Sequence, residues 1–224
     1  MDILKFRYLG LLFGLYLTTM LAVFILSSRM TILFGIHTMG ASLIYPLCIL
    51  IGDIIAEVYG YSVFRKINWL TFLCSFIFCL YLEFVNLMPT DNGYLLDIYY
   101  SAVIGPIPLM TIMIIVGITV GQFLDSYFLT KWKFLIRGRY FWLRCVGSTF
   151  IGAFATTLIA YTSRFYSMPF EQVAKFIAVS YLLKIMGIMI FATPGVIIVY
   201  YLKKAEPKEL LDMGIGNFNP FATN

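Results

Sequence analysis

Charged residues are scarce in this chain: Asp, Glu, Lys and Arg together make up 12% of its 224 residues, while 61% are hydrophobic. A soluble domain carries about a quarter charged residues, so the composition excludes a water-soluble fold. The net charge of +5 could point to nucleic acid, but the bases stand in short connections between apolar runs. There they act as membrane-orientation signals, and we expect no nucleic-acid partner.

The residues and motifs of most catalytic centres are also missing. His37 is the only histidine, and the chain contains no HExxH, GxSxG or phosphate-binding GxxxxGK[ST] motif. Zinc hydrolysis, serine-nucleophile chemistry and ATP hydrolysis each depend on one of these patterns. The four cysteines lie inside apolar runs without a CxxC pair, which argues against a metal site or a disulfide framework. We therefore expect no enzyme activity, no metal and no cofactor.

Long apolar runs, by contrast, are abundant. Each is close to the ~20 residues that a helix needs to cross a hydrocarbon core of about 30 Å. The six runs are 8–27, 39–59, 68–88, 107–129, 141–161 and 176–202. They are continuous rather than alternating, which favours helices over a closed barrel. The predicted fold class is an all-α integral membrane protein, a bundle of six transmembrane helices in contact with the lipid bilayer.

Lysine and arginine are distributed unevenly between the two predicted sides of the membrane. Twelve bases fall on one side and three on the other, with Lys184 inside the last run. The richer side holds Lys5, Arg7, Arg65, Lys66, Lys131, Lys133, Arg137, Arg139, Arg144, Lys203, Lys204 and Lys208, and the poorer side holds Arg29, Arg164 and Lys175. By the positive-inside rule both termini are cytoplasmic, which requires an even number of spans. One domain is expected over 1–205, followed by a short cytoplasmic tail, 206–224.

Ionisable residues inside the apolar runs are the first candidates for a site, because they are costly in a membrane and usually face the bundle interior. Asp53 and Glu57 of the second run are four residues apart, so both carboxylates lie on one helix face. Such a pair could accept the N–H groups of a ligand or hold a proton. Alternatively, both acids lie at the cytoplasmic interface and pair with Arg65 and Lys66.

Further polar candidates stand in the last three runs. Gln122 and Asp125 of the fourth run repeat the polar pattern of the second. Arg144 opens the fifth run, with Ser148 following, and is either an interfacial anchor or a partner for Asp125. Lys184 lies so far from the ends of the sixth run that its amine must reach a long way to water or meet an acid.

The run Asp53-Ile54-Ile55-Ala56-Glu57-Val58-Tyr59-Gly60-Tyr61, followed by Arg65-Lys66, resembles the queuosine precursor transporters, also called the vitamin uptake transporter family. Shorter similarities extend over most of the chain: Gly35-Ile36-His37-Thr38, Gly121-Gln122-Phe123-Leu124-Asp125, Trp142 with Ser148-Thr149, and Tyr181, Lys184 and Pro194. A lone histidine such as His37 is more often a structural hydrogen-bonding residue than a ligand-binding one.

The resemblance implies a multi-pass importer of the cell inner (plasma) membrane, which carries 7-deazaguanine bases for salvage into the queuosine of tRNA. Its ligand would be a planar, nucleobase-like small molecule. Glu57 or Asp53 would accept the donors of the guanine-like edge, with Gln122 and Asp125 as further contacts and Lys184 facing an acid or an acceptor on the base. The remaining candidate contacts are Arg144, Ser148 and His37.

The chain departs from the common pattern of that family at three positions. Arg29 stands where members commonly have Asn, and Ala153 and Thr156 stand where the fifth helix commonly carries an amide and an Asp. These differences bear on the substrate rather than on the fold. The alternative function is a substrate-binding membrane subunit for a vitamin or nucleobase that requires a separate energising complex.

Overall fold

The structure, a computed structural model, describes residues 6–33, 36–89, 99–100, 107–135, 140–162 and 169–206. Its elements are α1 (Leu9–Ser27), β1 (Met30–Leu33), β2 (Ile36–Met39), α2 (Ala41–Tyr59), α3 (Tyr61–Asn86), α4 (Ile107–Leu135), α5 (Phe141–Thr162) and α6 (Phe170–Ala205). All six of these helices are long and apolar enough to cross a membrane, which confirms the predicted six-helix membrane fold. The predicted tail from 207 onwards and the bases Lys5, Arg137, Arg139, Arg164 and Lys208 lie outside the described residues.

Two helices begin earlier than their apolar runs. α3 begins at Tyr61 rather than at 68, because Gly60, with φ at +87°, turns the chain directly from α2 into it. α6 begins at Phe170 rather than at 176, and its first turns carry the exposed ion pair of Glu171 and Lys175. The early turns of both helices contain charged residues. These residues lower the hydropathy of the sequence but are good helix formers.

The connection between α1 and α2 is a short antiparallel hairpin, whereas the sequence predicts a loop there. Thr31 pairs with Thr38 and Ile32 pairs with His37. β-branched residues on both strands favour this extended pairing. Gly40 follows β2, and its N–H donates to the Arg29 carbonyl oxygen at 2.9 Å. The hairpin therefore marks one end of the bundle, opposite the start of α1.

α2 lies at the centre of the bundle. Of its membrane-crossing segment 83% is buried, against 28% to 50% for the other five helices. It packs against α1, α3, α4 and α6. Pro46 and Leu50 of α2 lie directly against Gly187 and Gly195 of α6, where any side chain would collide. The polar residues of α2 therefore face protein rather than lipid.

α4 and α5 form the closest helix pair, and small residues make this contact possible. A Cβ added to Gly152 of α5 would lie 2.6 Å from the Asp125 Cβ and 2.6 Å from the Gly121 carbonyl oxygen. Gly117 and Gly121 form a small-xxx-small pattern, which lets membrane helices approach closely. The close approach holds Asp125 of α4 against α5.

Glu206 joins the two ends of the helical region. Its Oε1 accepts hydrogen bonds from the Tyr8 backbone N–H at 2.9 Å and from the Tyr59 hydroxyl at 2.8 Å, and its Oε2 accepts one from the Arg7 N–H at 3.3 Å. The start of α1 and the ends of α2 and α6 thus lie at the same end of the bundle, as an even number of spans requires. Glu206, which the sequence assigns to the tail, is buried in the bundle. That this end is cytoplasmic stays a prediction from the charge distribution.

Glu206→Ala is expected to lower the free energy of unfolding by about 1–2 kcal/mol, because the first N–H groups of α1 lose their acceptor. α1 has no capping side chain at its own N-terminus. Denaturant-induced unfolding of the purified protein in micelles measures the change. The matched control is Glu171→Ala, which removes an acid that is 81% exposed at the start of α6. Equal effects of the two substitutions would show that Glu206 does not stabilise the bundle in this way.

Candidate functional site

Three buried polar side chains of α2 and α4 meet in the interior of the bundle: Asp53, Gln122 and Asp125, which we name the acid–amide cluster. Each is at most 2% exposed. Gln122 of α4 packs closely against Gly52 of α2. A Cβ added to Gly52 would lie 2.8 Å from Gln122 Oε1. Asp53 and Asp125 are close enough to interact electrostatically. The structure thus brings together the two polar patterns that the sequence places on different helices.

α5 supplies the hydrogen bonds to both carboxylates. The Cys145 thiol donates to Asp53 Oδ2 at 2.9 Å, and the Thr149 hydroxyl donates to Asp125 Oδ2 at 3.4 Å. Ser148 borders Asp125, and its hydroxyl donates to the Cys145 carbonyl oxygen at 3.1 Å. These hydrogen bonds use neutral donors and engage one oxygen of each carboxylate. The second oxygen of each acid is left available.

The acid–amide cluster contains polar atoms that the described part of the chain does not satisfy. Asp53 Oδ1, Asp125 Oδ1 and both polar side-chain atoms of Gln122 are buried without a hydrogen-bond partner among the described residues. Such groups are rare in folded proteins, and each costs about 1–3 kcal/mol, more when it is charged. Two acceptor oxygens beside an amide suit a ligand that carries adjacent N–H groups.

Glu57 lies one helical turn beyond Asp53, in a different environment. Its Oε2 lies 3.0 Å from Arg144 Nη1, and its Oε1 lies 2.5 Å from Lys203 Nζ and 3.6 Å from Lys133 Nζ. These four residues form the Glu57 ion cluster, which joins α2, α4, α5 and α6. Arg144 is completely buried, whereas Lys133 is 32% and Lys203 38% exposed. Both oxygens of Glu57 already meet cations, so this carboxylate is not free to accept from a ligand.

The Glu57 ion cluster decides two alternatives that the sequence left open. The interfacial alternative pairs Glu57 with Arg65 and Lys66 of the next helix, but its oxygens meet cations of α4, α5 and α6. Arg144, expected at the interface or beside Asp125, forms its ion pair with Glu57. Its Nη1 also donates to the Leu129 carbonyl oxygen at 3.2 Å. The packing of distant helices sets these pairs, and residue spacing carries no information about it.

A cavity lies towards the hairpin end of the bundle, and we name it the Lys184 cavity. It is lined by residues from α1, β2, α2, α4, α5 and α6, and its space of about 370 Å³ includes open solvent. Lys184, which is 6% exposed, donates from Nζ to the Thr157 hydroxyl at 2.9 Å. The same Nζ lies 4.6 Å from the centre of the Tyr45 ring. Within the described ranges no carboxylate lies at ion-pair distance from it, so the acid that the sequence offered as one of two alternatives for Lys184 is not found there.

Tyr45 of this region was missed from the sequence, and Thr156 was noted there only as a departure from the family pattern. The Tyr45 and Thr156 hydroxyls are hydrogen-bonded to each other at 3.0 Å, and both residues line the Lys184 cavity. Tyr45 could have been recognised, because it precedes Asp53 by eight residues and lies on the same helical stripe. His37, a sequence candidate, is exposed on β2 and is not among the residues that line the cavity. The described residues contain no group of three His, Cys, Asp or Glu side chains that could hold a metal ion.

Comparison with known proteins bears on five of the six membrane-crossing helices. A family model described as "putative vitamin uptake transporter" matches residues 39–199, which include α2 to α5 and most of α6. The acid–amide cluster, Glu57, Arg144 and Lys184 all lie within the matched region. No curated protein and no solved structure matches the chain. Because the match covers well over half of the sequence, the chain belongs to the vitamin uptake transporter family.

Proposed function

We propose that the chain imports 7-deazaguanine bases, the precursors salvaged for queuosine in tRNA, across the cell inner (plasma) membrane. Membership of a transporter family and six membrane-crossing helices support the transport of a small solute. The single observation that carries the choice of solute is the acid–amide cluster, whose buried acceptor atoms have no partners in the described part of the chain.

A 7-deazaguanine base has the complementary hydrogen-bonding groups. Its guanine-like edge presents a ring N–H beside an amino group, and a carboxylate accepts two such donors side by side. Asp53 or Asp125 would take this edge, while the Gln122 amide offers a donor and an acceptor beside it. These ligand donors would offset the cost of burying a carboxylate among neutral partners. We do not assign this role to Glu57, because three cations already surround its carboxylate.

The two ends of the bundle differ in a way that suits alternating access. The Lys184 cavity lies towards the hairpin end, whereas the Glu57 ion cluster ties four helices together near the chain termini. A solute that enters through the cavity could leave at the other end only when the ion cluster opens. Lys133 and Lys203 are each about one third exposed, so water can replace their contacts as the helices separate. With cytoplasmic termini, as the charge distribution predicts, this direction is import.

Uptake by liposomes that contain only the purified chain tests the proposal. A radiolabelled 7-deazaguanine base is expected to enter these liposomes faster than protein-free liposomes, and excess unlabelled base is expected to compete. Binding of the base without uptake would instead favour the alternative, a substrate-binding subunit that requires a separate energising complex. Uptake of another vitamin or nucleobase, with no uptake of deazaguanines, would overturn the choice of solute and leave the family assignment intact.

A further inference from the structure

We infer that the Lys184 cavity is a ligand subsite in which the Lys184 ammonium donates to a carbonyl or carboxylate oxygen of the transported solute. The orientation of the base in this subsite rests on the proposed function. The subsite itself is inferred from Lys184 and its surroundings alone. Lys184 lies well inside α6 and is almost completely buried. An ammonium group at that depth is costly unless acceptors or an opposite charge face it.

The described residues do not use all the donors of Lys184. An ammonium carries three N–H donors. One is directed to Thr157 Oγ1 at 2.9 Å, and the Tyr45 ring attracts the charge from 4.6 Å. Both partners are neutral, and the described ranges place no carboxylate at ion-pair distance. A donor remains for a ligand, and an electron-rich oxygen is the acceptor that gains most from a charged donor.

The Lys184 cavity also suits a flat ring. Tyr45 offers an aromatic ring, and Ile114 and Ile118 offer apolar walls. Ser42 and Ser180, which are hydrogen-bonded to each other at 2.9 Å, add polar atoms at the margin. Such a lining can contact an aromatic ring and orient it through a few polar groups.

The cavity and the acid–amide cluster are neighbours with opposite hydrogen-bonding character. The Tyr45 hydroxyl pairs with Thr156, and Thr156 packs on Gly121, the residue before Gln122. The cluster presents acceptor oxygens, whereas Lys184 presents a charged donor. A solute that carries N–H groups with an oxygen acceptor beside them satisfies both. A guanine-like base has this polarity, because its 6-oxo oxygen stands next to the ring N–H.

A cycle of two ligands and two proteins tests the subsite. The ligands are 7-deazaguanine and its 2,6-diamino analogue, in which an amino donor replaces the 6-oxo acceptor and the ring N–H is lost. The wild-type chain in nanodiscs is expected to bind the oxo base more tightly, with about 10- to 100-fold of the preference coming from the charged hydrogen bond to Lys184. In Lys184→Met the preference is expected to fall by that factor, and the part due to the ring N–H is expected to remain. An unchanged preference in Lys184→Met would overturn the subsite while leaving the proposed function in place.

Controls separate the subsite from damage to the fold. Lys175→Met makes the same substitution on the same helix at a side chain that is 74% exposed, and it is expected to keep the wild-type preference. Removal of an unpaired buried charge is tolerated well, so Lys184→Met is expected to stay monodisperse. Lys184→Gln, which keeps a neutral donor, is expected to give an intermediate preference. A loss of preference in Lys175→Met equal to that in Lys184→Met would contradict the subsite.

A second pair of ligands tests the subsite without any deazaguanine. Pyridine-3-carboxylate carries an oxygen acceptor, and 3-(aminomethyl)pyridine carries a cationic donor on the same ring. The wild-type chain is expected to prefer the carboxylate, and Lys184→Met is expected to lose that preference. If both deazaguanines fail to bind while the carboxylate binds through Lys184, the proposed solute is wrong and the subsite holds. If neither ligand pair depends on Lys184, the subsite is wrong.

Discussion

Asp53→Asn is expected to lower uptake of a 7-deazaguanine base about 100-fold at low concentrations of the base, while the helix bundle stays folded. Asn offers one acceptor oxygen and turns an amino donor towards the donors of the ligand. Loss of a hydrogen bond to a charged group, with a ligand donor left unpaired, costs roughly 3 kcal/mol, which corresponds to about two orders of magnitude in affinity. Asp125→Asn is expected to act in the same direction, because Asp125 also has an oxygen without a partner in the described part of the chain.

The stability of these variants is not expected to fall together with their uptake. Each acid is buried and, among the described residues, receives hydrogen bonds only from thiol or hydroxyl groups, so replacing it by a neutral amide removes a desolvation cost. The free energy of unfolding in micelles should therefore stay the same or rise. Loss of uptake together with loss of stability would show that the two acids hold the bundle together and do not bind the solute.

Two matched variants control for the chemistry of the change. Glu171→Gln converts an acid to its amide on an exposed turn of α6 and is expected to leave uptake unchanged. Cys145→Ser keeps a donor next to Asp53 Oδ2 and is expected to retain most of the activity. Normal uptake by both Asp53→Asn and Asp125→Asn would remove the acid–amide cluster from the transport pathway.

Arg144→Met is expected to have the largest effect on stability, lowering the free energy of unfolding by about 3–5 kcal/mol. Its guanidinium is completely buried and meets Glu57 Oε2 at 3.0 Å and the Leu129 carbonyl oxygen at 3.2 Å. Removal of Arg144 takes the only fully buried cation of the Glu57 ion cluster from the Glu57 carboxylate and leaves it with the partly exposed Lys133 and Lys203. Glu57→Gln is expected to destabilise the protein for the same reason, since it leaves Arg144 buried without its carboxylate.

Lys203→Met is the matched control within the same ion cluster. Its side chain is 38% exposed, and an ion pair that reaches water contributes about 0–1 kcal/mol. In denaturant-induced unfolding in micelles, the free energies of unfolding of Arg144→Met and Glu57→Gln are expected to be well below that of Lys203→Met. Similar free energies for all three would mean that the buried pair of Glu57 and Arg144 does not dominate the cluster.

The six spans could be predicted from the sequence, because hydrocarbon thickness imposes a minimum length on every crossing helix. The prediction was less accurate where helices extend beyond the apolar region. The first turns of α3 and α6 were missed, since Arg65, Glu171 and Lys175 lower the hydropathy there. The pairing of β1 with β2 was also missed, because two four-residue strands leave only a weak alternation in the sequence.

The candidate site could be predicted in part. Asp53, Gln122 and Asp125 were identified because polar groups inside apolar runs are costly and usually face the interior. Cys145 and Thr149, which donate to the two acids, carry no such signal, since thiols and hydroxyls are common in membrane helices. The sequence offered Arg65 and Lys66 only as alternative partners of Glu57 and gave no sign of its cations on α4, α5 and α6. His37 is exposed on the hairpin.

The sequence by itself determined the number of spans, their order and the ionisable residues inside the apolar runs. Only the tertiary structure decided which of these residues are neutralised. Asp53 and Glu57 share one face of α2, and no property of their spacing distinguishes them. The ends of α4, α5 and α6 bring three cations to Glu57, whereas one turn away Asp53 meets a thiol. The crossing and the axial offset of packed helices set that difference, and these depend on contacts between residues far apart in the chain.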